Sequence, residues 1–203
     1  MKKNAFHILA LDDEPTILDL YRRVFRVVPA GMHFDLTCCA GAKEAVETVR
    51  RFKLEGRPFS VAFLDILMPH GPDGVWAAEE IRKMDPGMGI VMVTGDTNAS
   101  MDEIERRVQP PDRLFYLEKP FNTKEIRQFS QALSARWEAE RELASIHGRL
   151  ETMVAERTTA LAAANENLRT EAENRREMEK TLRISQENFR SMILGNPDGI
   201  VIF

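Results

Sequence analysis

The chain has 203 residues, enough for one large domain or for a smaller domain with an appendage. Hydrophobic residues make up 43% and charged residues 30%, and the net charge of −4 gives no basis for binding nucleic acid or anionic lipid electrostatically. No apolar run approaches the roughly 18 residues of a membrane span, and Asp12 and Asp13 interrupt the N-terminal apolar run before it could form a signal-peptide core.

Short apolar runs and helical patterns alternate over the first 121 residues. The apolar runs lack polar alternation, which is typical of strands covered on both faces, and predict strands at 7–11, 34–38, 61–64, 90–93 and 114–117. Apolar residues spaced three and four apart predict helices at 16–27, 43–52, 74–84 and 100–108. This order predicts an α/β fold with a five-stranded doubly wound parallel sheet.

The two cysteines, Cys38 and Cys39, are adjacent and fall on the second predicted strand. Neighbouring strand residues point to opposite faces and are poor disulfide partners. We therefore expect reduced thiols and a cytoplasmic protein.

Polar residues follow four of the five predicted strands. Asp12 and Asp13 follow the first, Asp65 the third, Thr94 the fourth and Lys119 the fifth. In a doubly wound sheet, ligands bind at the carboxyl ends of the strands, so these side chains are expected to share one site.

The residue types at these strand ends suit phosphoryl transfer. Three crowded carboxylates repel one another, and a Mg²⁺ ion relieves that repulsion. Asp65 is the expected nucleophile because a carboxylate can form an acyl phosphate. Lys119 supplies a positive charge and Thr94 a hydroxyl donor for the phosphoryl oxygens.

The motifs DDE at 12–14, DILMP at 65–69, TG at 94–95 and KPF at 119–121 resemble those of the receiver domain of two-component response regulators. The resemblance covers residues 6 to about 135 and implies the flavodoxin-like form of the sheet. It also implies that the carboxylate in the second motif accepts a phosphoryl group from a histidine kinase, a histidine phosphotransfer protein or a small phosphodonor.

The same resemblance implies roles for individual residues. Mg²⁺ would be held by Asp13, Asp65 and the backbone carbonyl of Leu67, with Asp12 acting through the water shell of the metal. Tyr116 matches the aromatic residue that turns inward when the threonine closes on the phosphoryl group; the alternative is a partly buried strand tyrosine. Leu67 is apolar where fast-dephosphorylating relatives carry a polar residue, which predicts a long-lived phosphoryl group.

Two rival functions stay open. The first is an aspartyl-phosphate phosphatase or phosphotransferase, but that family carries a second aspartate two residues after the nucleophile, where this chain has Leu67. The second is a coiled-coil docking adaptor that is never phosphorylated. We expect the chain itself not to be an enzyme.

From Phe121 to Leu194 there is no proline and one glycine, Gly148, which predicts a single long helix. A heptad pattern runs along it in two rows. The first row is Ile126, Leu133, Glu140, His147, Val154, Leu161, Leu168, Arg175, Leu182 and Phe189. The second is Phe129, Arg136, Leu143, Leu150, Arg157, Ala164, Glu171, Met178, Ser185 and Met192.

Thirteen of these twenty positions are apolar, which predicts a parallel dimeric coiled coil and hence a homodimer. The alternatives are a solvated single helix and an antiparallel hairpin bent at Gly148. Polar positions in the rows, Glu140 and His147 among them, are expected to weaken the coil and to fix its register. His147 fits a seam or surface position better than a phosphorylation site.

The last 19 residues resemble the opening of a PAS sensor domain, and residues 154–189 resemble the signalling helices that precede such domains in sensor kinases and diguanylate cyclases. We expect a fragment of a longer protein whose histidine kinase or diguanylate cyclase domain lies beyond residue 203; the alternative is a naturally short protein. The predicted divisions are a receiver core at 1–121, its last helix at 122–135, a coiled coil at 136–188 and a truncated PAS domain at 189–203.

Overall fold

A computed structural model describes residues 5–26, 32–69, 71–95 and 101–194, with side chains described as far as residue 192. The strands are β1 (Phe6–Leu11), β2 (Phe34–Cys39), β3 (Phe59–Asp65), β4 (Gly89–Thr94) and β5 (Leu114–Glu118). The helices are α1 (Pro15–Arg26), α2 (Ala42–Leu54), α3 (Gly74–Met84), α4 (Met101–Arg107) and α5 (Thr123–Leu194). All strand pairs are parallel, and the sheet order is β2-β1-β3-β4-β5.

The predicted five-stranded doubly wound sheet is confirmed, and the ends of the strands and of the first three helices agree within two residues. Residues 27 and 100, which the sequence assigned to helix ends, lie outside the described residues. A 3₁₀ turn at Pro111–Arg113, which the sequence did not predict, leads into β5.

Alternate residues of the central strands are buried on opposite faces of the sheet. In β1, Leu9 and Leu11 belong to the apolar cluster formed with α2 and α3, whereas Ile8 and Ala10 belong to the cluster formed with α1 and α5. Covering both faces explains why the central strands are continuously apolar in sequence.

Helix α5 begins with a reciprocal cap. The side-chain oxygen of Asn122 accepts hydrogen bonds from the backbone N–H groups of Lys124 and Glu125, at 2.9 and 3.1 Å. In return, the Asn122 N–H donates a hydrogen bond to the Glu125 carboxylate at 2.8 Å, so the two side chains satisfy backbone donors that a helix start leaves open. The helix then continues through Gly148, so the hairpin bent at that residue is excluded.

The first turns of α5 pack on the sheet. Ile126 is fully buried, Leu133 is 8% exposed, and the hydroxyls of Ser134 and Ser60 lie 2.8 Å apart. Because of this packing, the first turns of α5 are part of the same folded unit as the sheet.

Further along α5, charged side chains form ion pairs with the turn before β5. Glu140 accepts hydrogen bonds from Arg113 at 2.5 Å and from Arg136 at 2.8 Å. Arg136 also bonds Asp112 at 2.8 Å. Glu140, which the sequence placed in a coiled-coil seam, therefore forms ion pairs within its own chain.

The chain divides into two compact units, Met1–Leu143 and Ala144–Phe203. The described part of the second unit is the remainder of α5, whose side chains are exposed as far as residue 192. Residues 195–203, the last part of the predicted PAS opening, lie outside the described residues.

Cys38 and Cys39 are both free thiols. Among the described helices, none combines the length and apolar character that crossing a bilayer requires.

Candidate functional site

Backbone hydrogen bonds continue the sheet ladder beyond the strands and position the residues at their carboxyl ends. The Asp12 N–H donates to the Cys39 carbonyl at 3.2 Å. At the end of the β4–β5 pair, the Lys119 N–H donates to the Thr94 carbonyl at 2.7 Å. Because the sheet itself fixes these residues, the predicted convergence at one edge is reproduced in the fold.

Lys119 joins two of the three carboxylates. Its ammonium group lies 2.8 Å from Oδ2 of Asp12 and 3.0 Å from Oδ2 of Asp65. The side chains of Asp12 and Asp65 are 1% and 6% exposed, and that of Lys119 is 19% exposed. A partly buried positive charge thus lies directly against the predicted nucleophile, where it offsets the charge of both carboxylates.

Oxygen atoms from Asp12, Asp13 and Asp65 lie within 4.8 Å of one another. Asp13 is the most exposed of the three. A compact set of carboxylate oxygens open to solvent on one side is what Mg²⁺ prefers, because the ion keeps several waters and uses few protein ligands. The donor set therefore fits a hard divalent cation.

Burial and neighbouring charges have opposite effects on the pKa values of Asp65 and Lys119. Burial raises the pKa of Asp65 from its ordinary value, although the hydrogen bond and charge of Lys119 act in the opposite direction. Burial also disfavours the charged form of Lys119, but its hydrogen bonds to Asp12 and Asp65 prevail, and its pKa is raised. Lys119 consequently stays protonated at neutral pH.

Tyr21 is a neighbour of the site that the sequence did not single out. It is 1% exposed and its ring contacts those of Phe63 and Phe121, with centroids 5.4 and 5.9 Å apart. Burial, followed by the charges of Asp12 and Asp65, raises the pKa of Tyr21 well above its usual value. Its phenol therefore remains neutral beside the carboxylates.

The loop after β3 and the start of α3 lie directly against Asp65. The Leu67 N–H lies 3.4 Å from Oδ1 of Asp65, and the Leu67 side chain is 58% exposed. Asp73 caps α3 by accepting a hydrogen bond from the Trp76 N–H at 2.7 Å. Gly74 follows, and a Cβ atom at this position would overlap the carbonyl oxygen of Asp65.

Gly74 is thus in close contact with the site, although the sequence pattern did not indicate it. The signal available was a glycine directly after an N-capping aspartate, at a helix start nine residues beyond the acceptor. That pattern is also common at ordinary helix starts, so it does not by itself indicate contact with Asp65.

Thr94 and Tyr116 lie on neighbouring strands. Thr94 is 3% exposed at the end of β4. Tyr116 is half-buried on β5, and its phenol donates a hydrogen bond to the Met101 carbonyl at 3.3 Å. Burial, with added effects of Glu105 and Asp102, raises the pKa of Tyr116 to about 12. The tyrosine therefore ties β5 to the first residue of α4.

Comparison with known proteins supports the assignment that the motifs suggested. The family model described as the response regulator receiver domain matches residues 8–131. A CheY-like response regulator receiver domain protein from Methanospirillum hungatei has 25% identity and a TM-score of 0.54, with 68% of this chain and 99% of the other covered. A response regulator receiver protein from Sinorhizobium medicae has 27% identity and a TM-score of 0.52, with 66% and 98% covered.

A third solved structure, the signal receiver domain of an HD domain-containing protein from Pseudomonas fluorescens, shares the fold. Its identity is 19% and its TM-score is 0.57, with 70% of this chain and 96% of the other covered. No match was found among curated proteins.

Proposed function

The chain belongs to the response regulator receiver family, and on that basis we propose that it is a phosphoacceptor switch in phosphorelay signalling, with Asp65 as the residue that takes up the phosphoryl group. The observation that carries this proposal is the position of Lys119, whose ammonium group lies 3.0 Å from the Asp65 carboxylate inside a cluster of three aspartates. A docking adaptor that is never phosphorylated does not require a lysine against a cluster of three aspartates.

The proposed reaction is an in-line displacement. An oxygen of Asp65 attacks the phosphorus of a phosphohistidine, carried by a histidine kinase or histidine phosphotransfer protein, or of a small phosphodonor. The bond from phosphorus to the donor atom breaks, and its electron pair leaves with the donor. Lys119 and the Thr94 hydroxyl stabilise the transferred oxygens, and an acyl phosphate forms on Asp65.

The residues that would hold Mg²⁺ are Asp13, Asp65 and the Leu67 carbonyl, with Asp12 acting through a bound water. When bound, the ion would supply positive charge to the phosphoryl oxygens. The three carboxylates within 4.8 Å support this assignment. Lys119 already offsets part of their charge, so a single divalent ion is sufficient.

Switching is proposed to involve Thr94 and Tyr116. When the threonine hydroxyl turns to the phosphoryl group, Tyr116 turns inward and gives up its hydrogen bond to the Met101 carbonyl. Because β5 is followed directly by α5, the change at Tyr116 is well situated to alter the packing of that helix.

The output is proposed to pass through a parallel coiled-coil homodimer formed by α5. From Leu143 onward, large apolar side chains on this helix are more than half exposed: Leu143, Ile146, Leu150, Met153, Val154, Leu161, Leu168, Met178, Leu182, Ile184, Phe189 and Met192. A stripe of this length favours association with a partner helix. The domain divisions predicted from the sequence remain part of this proposal, with the coil preceding a PAS domain and a kinase or cyclase output.

Phosphorylation is tested by incubating the protein with acetyl phosphate and Mg²⁺ and measuring the intact mass. We expect one added phosphoryl group on the wild type and none on Asp65→Asn. Asp35→Asn, which removes an exposed carboxylate from β2, is the matched control and should be modified normally. A wild-type chain that dimerises but is never modified would instead be the docking adaptor.

A further inference from the structure

We propose that the ion pair between Arg113 and Glu140 is a coupling contact, through which a change in β5 is passed to α5 at the point where its packing on the receiver ends. The inference rests on the switching proposed above, because it names the contact that carries a change at Tyr116 towards the output. Arg113 precedes β5, so the pair lies at the edge of the sheet opposite the phosphoacceptor, and no step of the phosphoryl transfer uses it.

Strand β5 connects the phosphoacceptor site with this ion pair. At one end, Lys119 directly follows the strand and pairs with Asp65. At the other end, Arg113 directly precedes the strand and pairs with Glu140. Tyr116 lies midway between Arg113 and Lys119 in the sequence. Rigid elements and the ion pairs between them carry coupling through a protein, so a displacement of β5 at the site is expected to reach Arg113.

Arg113 is held both by its backbone and by its side chain. Its carbonyl accepts a hydrogen bond from the guanidinium of Arg82 at 3.1 Å, and its own guanidinium donates to the Gly87 carbonyl at 3.0 Å. Arg82 is 5% exposed and also donates to the Met88 carbonyl at 2.7 Å. These bonds leave the Arg113 side chain little freedom to absorb a small shift of β5 by changing its rotamer.

Two arginines from different elements orient the Glu140 carboxylate. Arg113 lies 2.5 Å from one oxygen, and Arg136, one turn earlier on α5, lies 2.8 Å from the other. Arg136 also donates to the carboxylate of Asp112 at 2.8 Å. Burial alone would raise the pKa of Glu140, but its hydrogen bonds to Arg136 and Arg113 prevail and lower it. The bonds are therefore charge-assisted, and such bonds are stronger than those between neutral groups.

Glu140 also marks the end of the polar contacts between α5 and the receiver. Three residues earlier, Trp137 is half-buried, and its ring lies edge-on to that of Phe6 with centroids 6.5 Å apart. Within the described residues, no residue of α5 beyond Glu140 forms a hydrogen bond or ion pair with another element, and every side chain from 141 to 192 is exposed. A change at Arg113 thus acts on the last polar attachment of the helix.

Tryptophan fluorescence measures this coupling in a parent chain of full length that carries Trp76→Phe, so that Trp137 is the remaining tryptophan. Emission is recorded before and after incubation with acetyl phosphate and Mg²⁺, and the phosphorylated fraction is measured by intact mass. We expect the Trp137 emission of the parent chain to shift on phosphorylation, because the ring lies one turn before Glu140.

Glu140→Ala removes the contact. Glu138→Ala is the matched control, because Glu138 is exposed on the same helix and forms no ion pair within the described residues. Both variants should be phosphorylated on Asp65 at the rate of the parent chain. The emission shift should fall to less than about half in Glu140→Ala and stay unchanged in Glu138→Ala. Glu140→Gln, which keeps a neutral acceptor, should lose less of the shift than Glu140→Ala.

Equal shifts in Glu140→Ala and Glu138→Ala would overturn the inference and leave the proposed switching standing. A parent chain that is fully phosphorylated without any shift would overturn the switching and the inference with it, while Asp65 would remain the phosphoacceptor. Backbone hydrogen exchange over residues 134–143 is a second measurement and requires no tryptophan substitution. Phosphorylation should change the exchange there in the wild type and change it much less in Glu140→Ala; the same change in both would also contradict the inference.

Discussion

Gly74 allows α3 to begin directly against the backbone of Asp65. A methyl group there would overlap the Asp65 carbonyl oxygen, and neither partner can move without displacing the chain. We expect Gly74→Ala to lower the free energy of unfolding by about 2–3 kcal/mol and to slow phosphorylation of Asp65.

The measurements are urea denaturation and the rate of modification by acetyl phosphate. Gly41→Ala is the matched control, because a Cβ atom at Gly41 meets nothing within 4 Å. It should change stability by less than about 1 kcal/mol. Equal losses in the two variants would mean that close packing on Asp65 is not what requires glycine at position 74.

We propose that Leu67 determines how readily water reaches the acyl phosphate on Asp65. Its side chain is 58% exposed next to the site but has no group that could orient a water molecule. We expect the phosphoryl group of the wild type to decay more slowly than that of Leu67→Asn, measured as loss of phosphorylated protein after the donor is removed. Equal decay rates would show that this side chain does not control hydrolysis.

The two cysteines differ in burial, and their reactivity should differ in the same way. Burial raises the pKa of Cys39 to about 11, so near pH 8 only about one thiol in a thousand is ionised. Cys39 is 2% exposed and Cys38 is half-buried. In Cys38→Ser we therefore expect Cys39 to react slowly with a thiol reagent.

The rate at Cys39 should rise about tenfold per pH unit up to about pH 11, because only the thiolate attacks. Cys39→Ala, which retains Cys38, should react faster at pH 8. The same thiols in urea serve as the unfolded reference. If Cys39 reacts as fast in the folded protein as in urea, its burial in β2 is not maintained in solution.

At the scale of the element, one heptad row of α5 packs on the receiver at its start and is proposed to contact a partner helix further along. Leu133 is 8% exposed and lies against Gly89 of β4, whereas Leu161, four heptads further, is 64% exposed. We expect Leu133→Ala to destabilise the receiver by about 2–4 kcal/mol, because it removes buried apolar atoms and leaves a cavity.

Leu161→Ala should instead leave the receiver as stable as the wild type and weaken the dimer. Trp76 and Trp137 both lie in the first unit, so tryptophan fluorescence during urea denaturation reports the receiver alone. Sedimentation equilibrium reports the dimer. A large loss of receiver stability in Leu161→Ala would contradict this division of the helix.

The sheet and the candidate site could be predicted because their signals are local. Each strand is a short apolar run, and Asp12, Asp65 and Lys119 directly follow strands whose ends the topology brings together. The ion pairing of Glu140 within its own chain could not be predicted in this way. Its partner Arg113 is 27 residues away, and a heptad pattern does not say whether a row packs within the chain or against another chain.

At the scale of the whole molecule, the compact unit ends at Leu143, beyond the packed first turns of α5 and the ion pairs of Glu140. A chain cut after residue 143 keeps every described contact of the sheet, the site and the Arg113–Glu140 pair. It loses the exposed apolar stripe from Ile146 onward. We expect it to fold, to accept a phosphoryl group on Asp65 and to be monomeric.

The full chain should be dimeric at the same concentration, because association is assigned to α5 beyond the receiver. Its dimer should dissociate on dilution, with the midpoint shifted by Leu161→Ala, whereas the shortened chain should show one mass at all concentrations by sedimentation equilibrium. A dimeric chain of residues 1–143 would assign association to the receiver surface. Loss of phosphorylation on shortening, without loss of fold, would instead show that the far part of the helix supports the site.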